Sequence, residues 1–315
     1  MSVAPNPEIS IVSPVYKSAE SLPEFIQRVS ESLSSITQNY EIILVNDGSP
    51  DNSWEIICQF AAKDTRIKGV ALSRNFGQHP AVFCGLHKCR GDVVVILSCD
   101  LQEEPEYIPK LYYKHKEGYE VVYTLVDVKR FGLIRNILTK IYYRLYNYLV
   151  GQSFMSMGKT YSSMVLLSRK AVSNLLALKD VQFQYILLIK WLGFKSAHVE
   201  IKHKERKYGK SSYTLRKMVE LAMVGIFFHS YKLLRVNVVI GLLISLLSFL
   251  GAALIVVNYF ISGYAQGWAS LSVLILFCIG SIFWTTGILG FYIEKIFDQV
   301  KSRPIYVIEE EVNVR

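Results

Sequence analysis

Two acidic segments follow apolar runs near the start of the chain, and their side chains are of the kind that binds metal ions and phosphate groups. Asp100 and Gln102 follow DVVVIL after two intervening residues, Ser98 and Cys99, and Asp47 follows EIILV within the sequence Asn-Asp-Gly-Ser. Carboxylate and amide oxygens two residues apart suit a hard divalent cation that also holds a diphosphate. Each acidic segment also has a purely structural interpretation. Asn, Asp and Gly favour turns, and acidic residues stabilise the start of a helix. The helix-start interpretation also covers the acidic residues that come next, Glu103, Glu104 and Glu106.

A third cluster combines cations, hydroxyls and a glycine within eight residues. It runs from Arg206 to Tyr213 and includes Lys207, Lys210 and Ser211. Guanidinium and ammonium groups beside hydroxyls bind phosphate through charge-assisted hydrogen bonds. A solvated basic loop accounts for the same residues equally well. The six histidines elsewhere in the chain form no recognised metal-binding spacing.

The elements that must position these side chains alternate between strands and helices over residues 1–125. Apolar strands separated by helices indicate an α/β fold with a mainly parallel sheet covered on both faces. Ligands of such sheets bind beyond the carboxyl ends of the strands, which is where Asp47 and Asp100 lie. Ser21 and Glu24 have the spacing of a capping box at the first helix. The predicted strands are Ile9–Tyr16, Glu41–Val45, Ile67–Leu72, Asp92–Leu97 and Glu120–Val126, and the predicted helices are 21–36, Trp54–Ala62, Pro80–Cys89 and Pro105–Lys116.

Basic residues are concentrated in the middle of the chain. The net charge of +9 divides into −5 over residues 1–125, +15 over residues 126–235 and −1 over residues 236–315. Within the basic region, residues 131–150 carry apolar side chains at helical spacing, a pattern typical of a helix in the membrane interface or of one packed on the sheet. A strand at Tyr161–Ser168 and helices at Arg169–Leu178 and Phe183–Leu192 follow. Such a basic block attracts anionic headgroups, and nucleic acid is the competing partner.

The 58 residues from Val236 to Ile293 contain no Asp, Glu, Lys or Arg. A short polar loop divides them into Asn237–Ile261 and Trp268–Ile293, each long enough to cross about 30 Å of hydrocarbon. Lys and Arg flank the outer ends and are absent from the loop, so the positive-inside rule places both termini in the cytoplasm. This run excludes a purely cytosolic globule, and the hydrophobic content of 51% excludes a disordered chain.

Several other classes of site are not indicated by the sequence. No G-x-G-x-x-G follows the first strand, and no P-loop sequence occurs. The five cysteines are scattered without a C-x-x-C pair, which favours a reducing compartment over a disulfide framework. The first residues, MSVAPNPEIS, have neither a basic segment nor an apolar core, so no cleaved signal peptide is expected.

Several motifs occur in an order that is characteristic of one protein family. L-S-R-N-F-G-Q at 72–78 is followed by Gly85, by Gly91-Asp92, by Asp100-Leu101-Gln102 with Pro105-Glu106, and by R-x-x-G-x-S-x-Y at 206–213. In order and spacing they resemble glycosyltransferase family 2, specifically the polyprenyl-phosphate glycosyltransferases. That group includes dolichyl-phosphate mannose synthases and bacterial undecaprenyl-phosphate enzymes. The resemblance covers essentially the whole chain, including the two C-terminal spans of the bacterial members.

The resemblance implies a glycosyltransferase A-type domain that binds a nucleotide sugar, with a UDP-sugar as the default donor and a GDP-sugar as the alternative. By the same resemblance, Pro14, Tyr16 and Asp47 would contact the nucleoside. Asp100 and Gln102 would hold a divalent cation, Mg²⁺ or Mn²⁺, and the diphosphate. Asp100 and Arg206 would be the catalytic residues. The residues expected at phosphate groups, including that of the lipid acceptor, are Arg206, Lys210, Ser211, Arg130 and Arg135.

Two departures from the family pattern bear on catalysis. Ser98 stands where the family often has the first Asp of D-x-D, and Ser163 aligns with an acidic residue proposed as a base. The second loss has a physical explanation, because a phosphate monoester has its second pKa at about 6 and is largely ionised at pH 7. An acceptor that is already ionised needs positioning and charge screening more than proton removal.

The leading hypothesis is a membrane-anchored inverting transferase that moves one sugar from a nucleotide diphosphate to a polyprenyl phosphate. A non-catalytic membrane partner derived from the family is one alternative. A processive polysaccharide synthase is another, although Q-x-x-R-W is not found at Trp191. The family further implies a homo-oligomer in the bacterial inner membrane that serves cell-envelope polysaccharide synthesis.

The expected organisation has four parts. Residues 1–130 form the nucleotide-sugar-binding α/β part of the catalytic domain. Residues 131–235 form its remainder with basic interfacial helices. Residues 236–293 form a two-helix transmembrane hairpin, and residues 294–315 form a cytoplasmic tail.

Overall fold

The computed structural model describes residues 6–127, 144, 155–156, 159–178, 184–202, 204, 231–262, 267–301 and 303–314. The chain divides into two compact units, one of residues 1–130, 154–212 and 303–315, and the other of residues 131–153 and 213–302. The interfacial helix predicted for residues 131–150 lies outside the described residues, apart from Arg144. Arg130, Arg135 and the cluster from Arg206 to Tyr213 also lie outside them.

Four parallel strands form the centre of the first unit. Strand β1 (Ile9–Val15) lies between β2 (Tyr40–Asn46) and β4 (Val93–Ile96), and β2 pairs in turn with β3 (Ile67–Leu72). Every residue of β1, β2 and β4 is buried. Successive β1 side chains enter two different cores, one on each face of the sheet, because strand side chains alternate between faces. The predicted α/β fold with a largely parallel central sheet is therefore confirmed.

Six helices among the described residues cover the two faces of this sheet. Side chains of α1, α2 and α4 belong to one core, and those of α3, α5 and α6 to the other. The predicted capping box is wrong, because Ser21 Oγ donates to the carbonyl of Ser18 and Glu24 pairs with Arg28 instead. The helices are α1 (Leu22–Ser34), α2 (Ser53–Lys63), α3 (Gln78–Lys88), α4 (Ile108–Lys116, preceded by a 3₁₀ turn at Pro105–Tyr107), α5 (Arg169–Leu176) and α6 (Tyr185–Trp191).

The sheet continues beyond β4 with antiparallel pairs. Strand β7 (Lys159–Ser168) pairs with β4 on one side and with β5 (Val121–Asp127) on the other, antiparallel in both cases. Strand β8 (Ser196–Glu200), which the sequence did not predict, is parallel to β5 at the edge, and the short β6 (Met155–Ser156) pairs with β7. The strand order among the described residues is β8-β5-β7-β4-β1-β2-β3-β9. The β4–β7 pairing brings β7 next to the segment that follows β4.

The strand at the opposite edge, β9 (Ile308–Val312), comes from the end of the sequence. It runs antiparallel to β3, and Ser73 N–H donates to the carbonyl of Val307 at 3.0 Å. Side chains reinforce the pairing: Trp54 Nε1 donates to Glu310 at 2.8 Å, and the Asn313 amide donates to two backbone carbonyls. The sequence predicted only a tail over residues 294–315, whereas the structure makes part of it a component of the sheet.

The second unit contains two long helices at the predicted spans, α7 (Tyr231–Ser262) and α8 (Trp268–Val300). Among the described residues, one window within these helices, Phe277–Glu294, is long and apolar enough to cross a membrane, and none of it is buried. That the two helices both cross a membrane remains a prediction.

Candidate functional site

The carboxyl ends of three central strands meet at one edge of the sheet. Asp47 N–H donates to the carbonyl of Val15 at 2.9 Å, which joins the end of β2 to the end of β1. Cys99 Sγ donates to the carbonyl of Pro14 at 3.3 Å, which joins the segment after β4 to the same place. The structure therefore brings Pro14, Asp47 and the Asp100 segment together, as the alternation of strands and helices predicts.

Asp47 organises the loop between β3 and α3. Its two carboxylate oxygens accept the backbone N–H groups of Phe76 and Gly77 at 2.7 and 2.9 Å. Burial raises the pKa of Asp47, and these two hydrogen bonds oppose that shift. The adjacent Gly48 has φ +56°, and a Cβ at that position would lie 2.4 Å from the carbonyl carbon of Arg74. The Asp47-Gly48 turn thus fits tightly against the loop.

Tyr16 presents an accessible aromatic ring at this edge. It is 39% exposed, and Lys17 Nζ lies 5.5 Å from its ring centroid. Lys17 has a positive φ of 52°, and its N–H donates to Ser49 Oγ at 2.7 Å. An exposed ring held beside a cation is suited to stacking on a nucleobase. Pro14, by contrast, is buried, and its carbonyl is occupied by Cys99.

Asp100 and Gln102 lie on a tight turn after β4. Leu101 between them has φ +57°, which is uncommon for a residue with a branched side chain. Gln102 N–H donates to Asp100 Oδ1 at 3.2 Å. The turn therefore places the two predicted ligand side chains on either side of a buried leucine that anchors it in the core.

The residue that leads into the basic cluster is attached to this turn. Lys204 N–H donates to the carbonyl of Gln102 at 3.0 Å, and Gln102 Nε2 donates to the carbonyl of Lys204 at 3.4 Å. Lys204 Nζ also pairs with Glu104 at 2.6 Å. Arg206, which is predicted to contact phosphate, follows Lys204 by two residues in the sequence.

Glu103 is a buried residue at this site, whereas its position in the sequence suggests only the start of a helix. It is 2% exposed, and its carboxylate accepts the hydroxyl of Ser162 and both the N–H and hydroxyl of Ser163, the latter two at 2.8–2.9 Å. Burial and, to a smaller extent, the charge of Asp100 raise its pKa, which lies at about 7 with the opposing effect of the Ser163 hydrogen bonds included. The only local signal in the sequence is that the apolar residues Leu101 and Pro105, both buried, lie two positions on either side of it.

A second, part-buried polar contact links Ser163 to α6, whose Tyr185 packs against His79 of α3. Tyr185 OH donates to the carbonyl of Ser163 at 2.8 Å, and the His79 ring meets the Tyr185 ring edge-on at 5.3 Å between centroids. Burial lowers the pKa of His79 to about 4, and its Nδ1 has no hydrogen-bond partner. His79 is therefore neutral in the folded protein at physiological pH.

The donor set at the turn fits a divalent cation that shares its ligands with a phosphate. Among the described residues, no three His, Cys, Asp or Glu side chains come together as a metal-binding group. Asp100 and Gln102 offer one carboxylate and one amide oxygen. Mg²⁺ typically uses one or two protein carboxylates and takes its other ligands from substrate phosphates and water. The turn suits that arrangement and not a cation enclosed by protein alone.

Comparison with known proteins gives a consistent result. Residues 10–176 match the family described as glycosyl transferase family 2. The chain is 34% identical over 310 residues to the uncharacterized glycosyltransferase YkcC of Bacillus subtilis (strain 168), covering 98% of this chain and 95% of that protein. It is 33% identical over 313 residues to the undecaprenyl-phosphate 4-deoxy-4-formamido-L-arabinose transferase of Proteus mirabilis (strain HI4320), again covering 98% and 95%.

The fold has a counterpart among solved structures. Glucosyl-3-phosphoglycerate synthase from Mycobacterium tuberculosis, in complex with Mn²⁺, uridine diphosphate and phosphoglyceric acid, superposes with a TM-score of 0.51 at 18% identity. The match covers 70% of this chain and 76% of that chain. At this level of identity the similarity concerns the fold.

Proposed function

This chain belongs to glycosyltransferase family 2, and from that premise we propose that it transfers a single sugar from a nucleotide diphosphate to a polyprenyl phosphate at a membrane. The observation that carries the proposal is the docking of Lys204 on the Asp100–Gln102 turn. It attaches the start of the basic, phosphate-binding segment to the residues suited to the donor diphosphate. The full-length similarity to an undecaprenyl-phosphate sugar transferase supports the class of acceptor.

The donor would bind along the strand ends. Tyr16 would stack on the base, and Asp47, beside the loop that it holds, would contact the nucleoside. Pro14 would shape this end of the pocket through its backbone, since its side chain is buried. We take a UDP-sugar as the first donor to test and a GDP-sugar as the second.

Asp100 and Gln102 would hold the cation together with the donor diphosphate. When bound, Mg²⁺ or Mn²⁺ supplies charge neutralisation for the departing nucleotide diphosphate. An oxygen of the acceptor phosphate forms the new bond to the anomeric carbon while the bond from that carbon to the diphosphate breaks, with inversion. No proton has to be removed, because the acceptor phosphate is already largely a dianion at pH 7.

The basic segment would hold the acceptor. Arg206, Lys210 and Ser211 would contact phosphate groups, and Arg130 and Arg135 would favour the anionic surface. An ion pair of Arg with a phosphate is typically bidentate and therefore orients the group that it binds. The role of these residues in this proposal is to position and screen a nucleophile that carries its own charge.

The membrane anchor would be a hairpin of α7 and α8. Strand β9 follows both helices in the chain and yet pairs with β3, so the chain must return to the side of the membrane that holds the sheet. If α8 crosses the membrane, the chain between β3 and β9 must cross it an even number of times, and we propose α7 for the second crossing. With Lys and Arg flanking the outer ends, the sheet and both termini would be cytoplasmic, which fits a bacterial inner-membrane enzyme of cell-envelope polysaccharide synthesis. We include a homo-oligomer in the proposal on the strength of the family resemblance.

The test uses membranes that contain the full chain, a labelled nucleotide sugar and undecaprenyl phosphate. We expect a glycolipid that carries one sugar, with inverted configuration, and no product in excess chelator. Asp100→Asn should remove most of the transfer, because one oxygen ligand loses its charge while the volume is kept. Asp92→Asn is the matched control, since Asp92 is exposed at the opposite end of β4 and its loss should leave transfer unchanged. Full activity of Asp100→Asn, or of wild type in chelator, would contradict the proposed cation site.

A non-catalytic membrane partner is the second candidate, and the serines at positions 98 and 163 favour it. It predicts that folded wild-type protein makes no glycolipid from any UDP- or GDP-sugar. A product longer than one sugar would instead indicate a processive synthase.

A further inference from the structure

Glu103 joins the Asp100–Gln102 turn to β7. The β4–β7 ladder ends at the pair Ile96 and Val165, and two residues beyond it on each strand stand Ser98 and Ser163. The carboxylate of Glu103 lies at this point, where it accepts hydrogen bonds from Ser162 and Ser163. The chain thus places a buried carboxylate between the turn and the neighbouring strand.

The turn that Glu103 follows has a strained backbone. Leu101 holds φ +57°, and a conformation of this kind persists only where the surrounding structure fixes it. Before the turn, Cys99 is anchored by its hydrogen bond to the Pro14 carbonyl. After the turn, Glu103 is anchored by its hydrogen bonds from Ser162 and Ser163. Asp100 and Gln102 lie between these two anchors, so their directions depend on both.

The bonding pattern is that of an acceptor with two oxygens. Two hydroxyl groups and one backbone N–H all donate to the Glu103 carboxylate. A glutamine offers one oxygen instead of two, so a serine hydroxyl would have to turn and accept from its NH₂ group. Glu103→Gln therefore changes the hydrogen bonds that hold this side of the turn while it keeps the length of the side chain.

We propose that Glu103 is a positioning residue for the divalent cation and the donor diphosphate, because it fixes the directions in which Asp100 and Gln102 present their oxygens. The inference rests on the proposed function and adds one residue to the proposed site. Groups that orient metal ligands typically change metal affinity or activity by about 10- to 100-fold when they are replaced. Ser162 and Ser163 serve the same purpose through Glu103.

A matched control lies at the other end of the same sheet. Glu41, 1% exposed, accepts hydrogen bonds from Ser10 Oγ and Arg90 N–H at 2.5 and 2.6 Å and pairs with Lys68 at 2.5 Å. It is a buried glutamate with a comparable number of partners, but it lies near the amino ends of the strands. Replacing it should disturb folding stability as much as replacing Glu103 without reaching the site.

The experiment measures Mn²⁺ binding to the full-length protein by electron paramagnetic resonance in the presence of UDP, and in parallel GDP, together with thermal unfolding. Glu103→Gln should weaken Mn²⁺ binding by about 10-fold or more, whereas Glu41→Gln should stay within about 2-fold of wild type at a temperature where both are folded. Unchanged binding in Glu103→Gln, or equal weakening in both variants, would overturn the inference. If Glu103→Gln does not fold, Ser163→Ala replaces it in the test, because this variant keeps the carboxylate and the backbone N–H. A loss of Mn²⁺ affinity of about 3-fold supports the inference, and an unchanged Mn²⁺ affinity overturns it.

The outcome is separable from that of the proposed function. If wild type binds Mn²⁺ with nucleotide but makes no glycolipid, the transferase proposal fails while the role of Glu103 at the cation is still measured. If wild type makes glycolipid and the Glu103→Gln variant binds Mn²⁺ as wild type does, the inference about Glu103 alone fails.

Discussion

Replacing Gly48 with alanine should displace the loop that Asp47 holds. A Cβ at position 48 would lie 2.4 Å from the carbonyl carbon of Arg74 and 2.5 Å from the nitrogen of Asn75. These are backbone atoms, so no change of rotamer can relieve the overlap and the loop itself must move. The two N–H groups that Asp47 accepts, from Phe76 and Gly77, belong to the same loop.

Two contributions to the free energy of unfolding can be separated. The left-handed backbone of Gly48, with φ +56°, costs an alanine about 1–2 kcal/mol. Overpacking against the loop costs about 1–3 kcal/mol more, which gives a total of about 2–5 kcal/mol. Gly118→Ala is the matched control, since Gly118 has φ +90° and the nearest atom to its Cβ would be Lys195 Nζ at 3.9 Å. Gly118→Ala should therefore lose only the part of the free energy of unfolding that comes from the left-handed backbone.

The assay combines thermal unfolding with calorimetric titration of UDP and GDP. We expect a lower melting temperature for Gly48→Ala than for Gly118→Ala. Nucleotide affinity should fall by about 10-fold in Gly48→Ala, equivalent to the loss of one hydrogen bond of about 1.4 kcal/mol, and should be unchanged in Gly118→Ala. Equal melting temperatures for the two variants would refute the steric reasoning, and an unchanged nucleotide affinity in a destabilised Gly48→Ala would remove Asp47 and its loop from the donor site.

Three further predictions concern pH, the acceptor and topology. The pKa of His79 is about 4 in the folded protein and near 6.5 when unfolded. The stability that the neutral His79 contributes to the fold is therefore fully present above pH 6.5 and is lost as the pH falls toward 4, with a loss of about 2 kcal/mol in the free energy of unfolding by pH 5. Identical pH dependence of the melting temperature in wild type and His79→Gln would refute this prediction. Arg206→Ala should lower transfer to lipid by about 10- to 150-fold with little change in nucleotide affinity. Arg206→Lys should retain only part of the wild-type transfer, because an ammonium group cannot form the two parallel hydrogen bonds of a guanidinium group. An equal loss of nucleotide affinity in Arg206→Ala would place Arg206 on the donor instead. A protease site after Arg315 should be cut only in inverted or permeabilised vesicles and one at Tyr264 only from outside, and the opposite pattern would reverse the topology.

The part of the fold that the sequence predicts well is the part with local signals. The strands from Glu41 and Asp92 appear as apolar runs because both faces of the sheet are covered, and each run is followed by a turn with an acidic residue. The convergence of Asp47 and Asp100 at one edge then follows from the parallel arrangement alone. Neither step requires knowledge of a distant contact.

The features that the sequence does not predict depend on partners far away in the chain. Glu103 and Glu104 are adjacent in sequence, yet Glu103 is buried against Ser162 and Ser163 while Glu104 pairs with Arg28 and Lys204 at the surface. Strand β9 contains three consecutive glutamates and no alternation of apolar residues, and it is a strand because the edge of β3 provides it with a partner. Ser21 likewise has the spacing of a cap but donates to Ser18 instead, because tertiary context decides between competing local hydrogen bonds.

The position of β9 also determines the order in which this protein is completed during synthesis. Because β9 follows α7 and α8 in the chain, the ribosome makes it after both helices, whereas its partner β3 is among the first strands to emerge. Until then the outer edge of β3 carries unpaired backbone groups, and an open edge of this kind is a site for aberrant pairing between chains. Both helices are therefore made before the sheet closes, and a chain cut short before β9 should expose this edge to proteases and to aggregation.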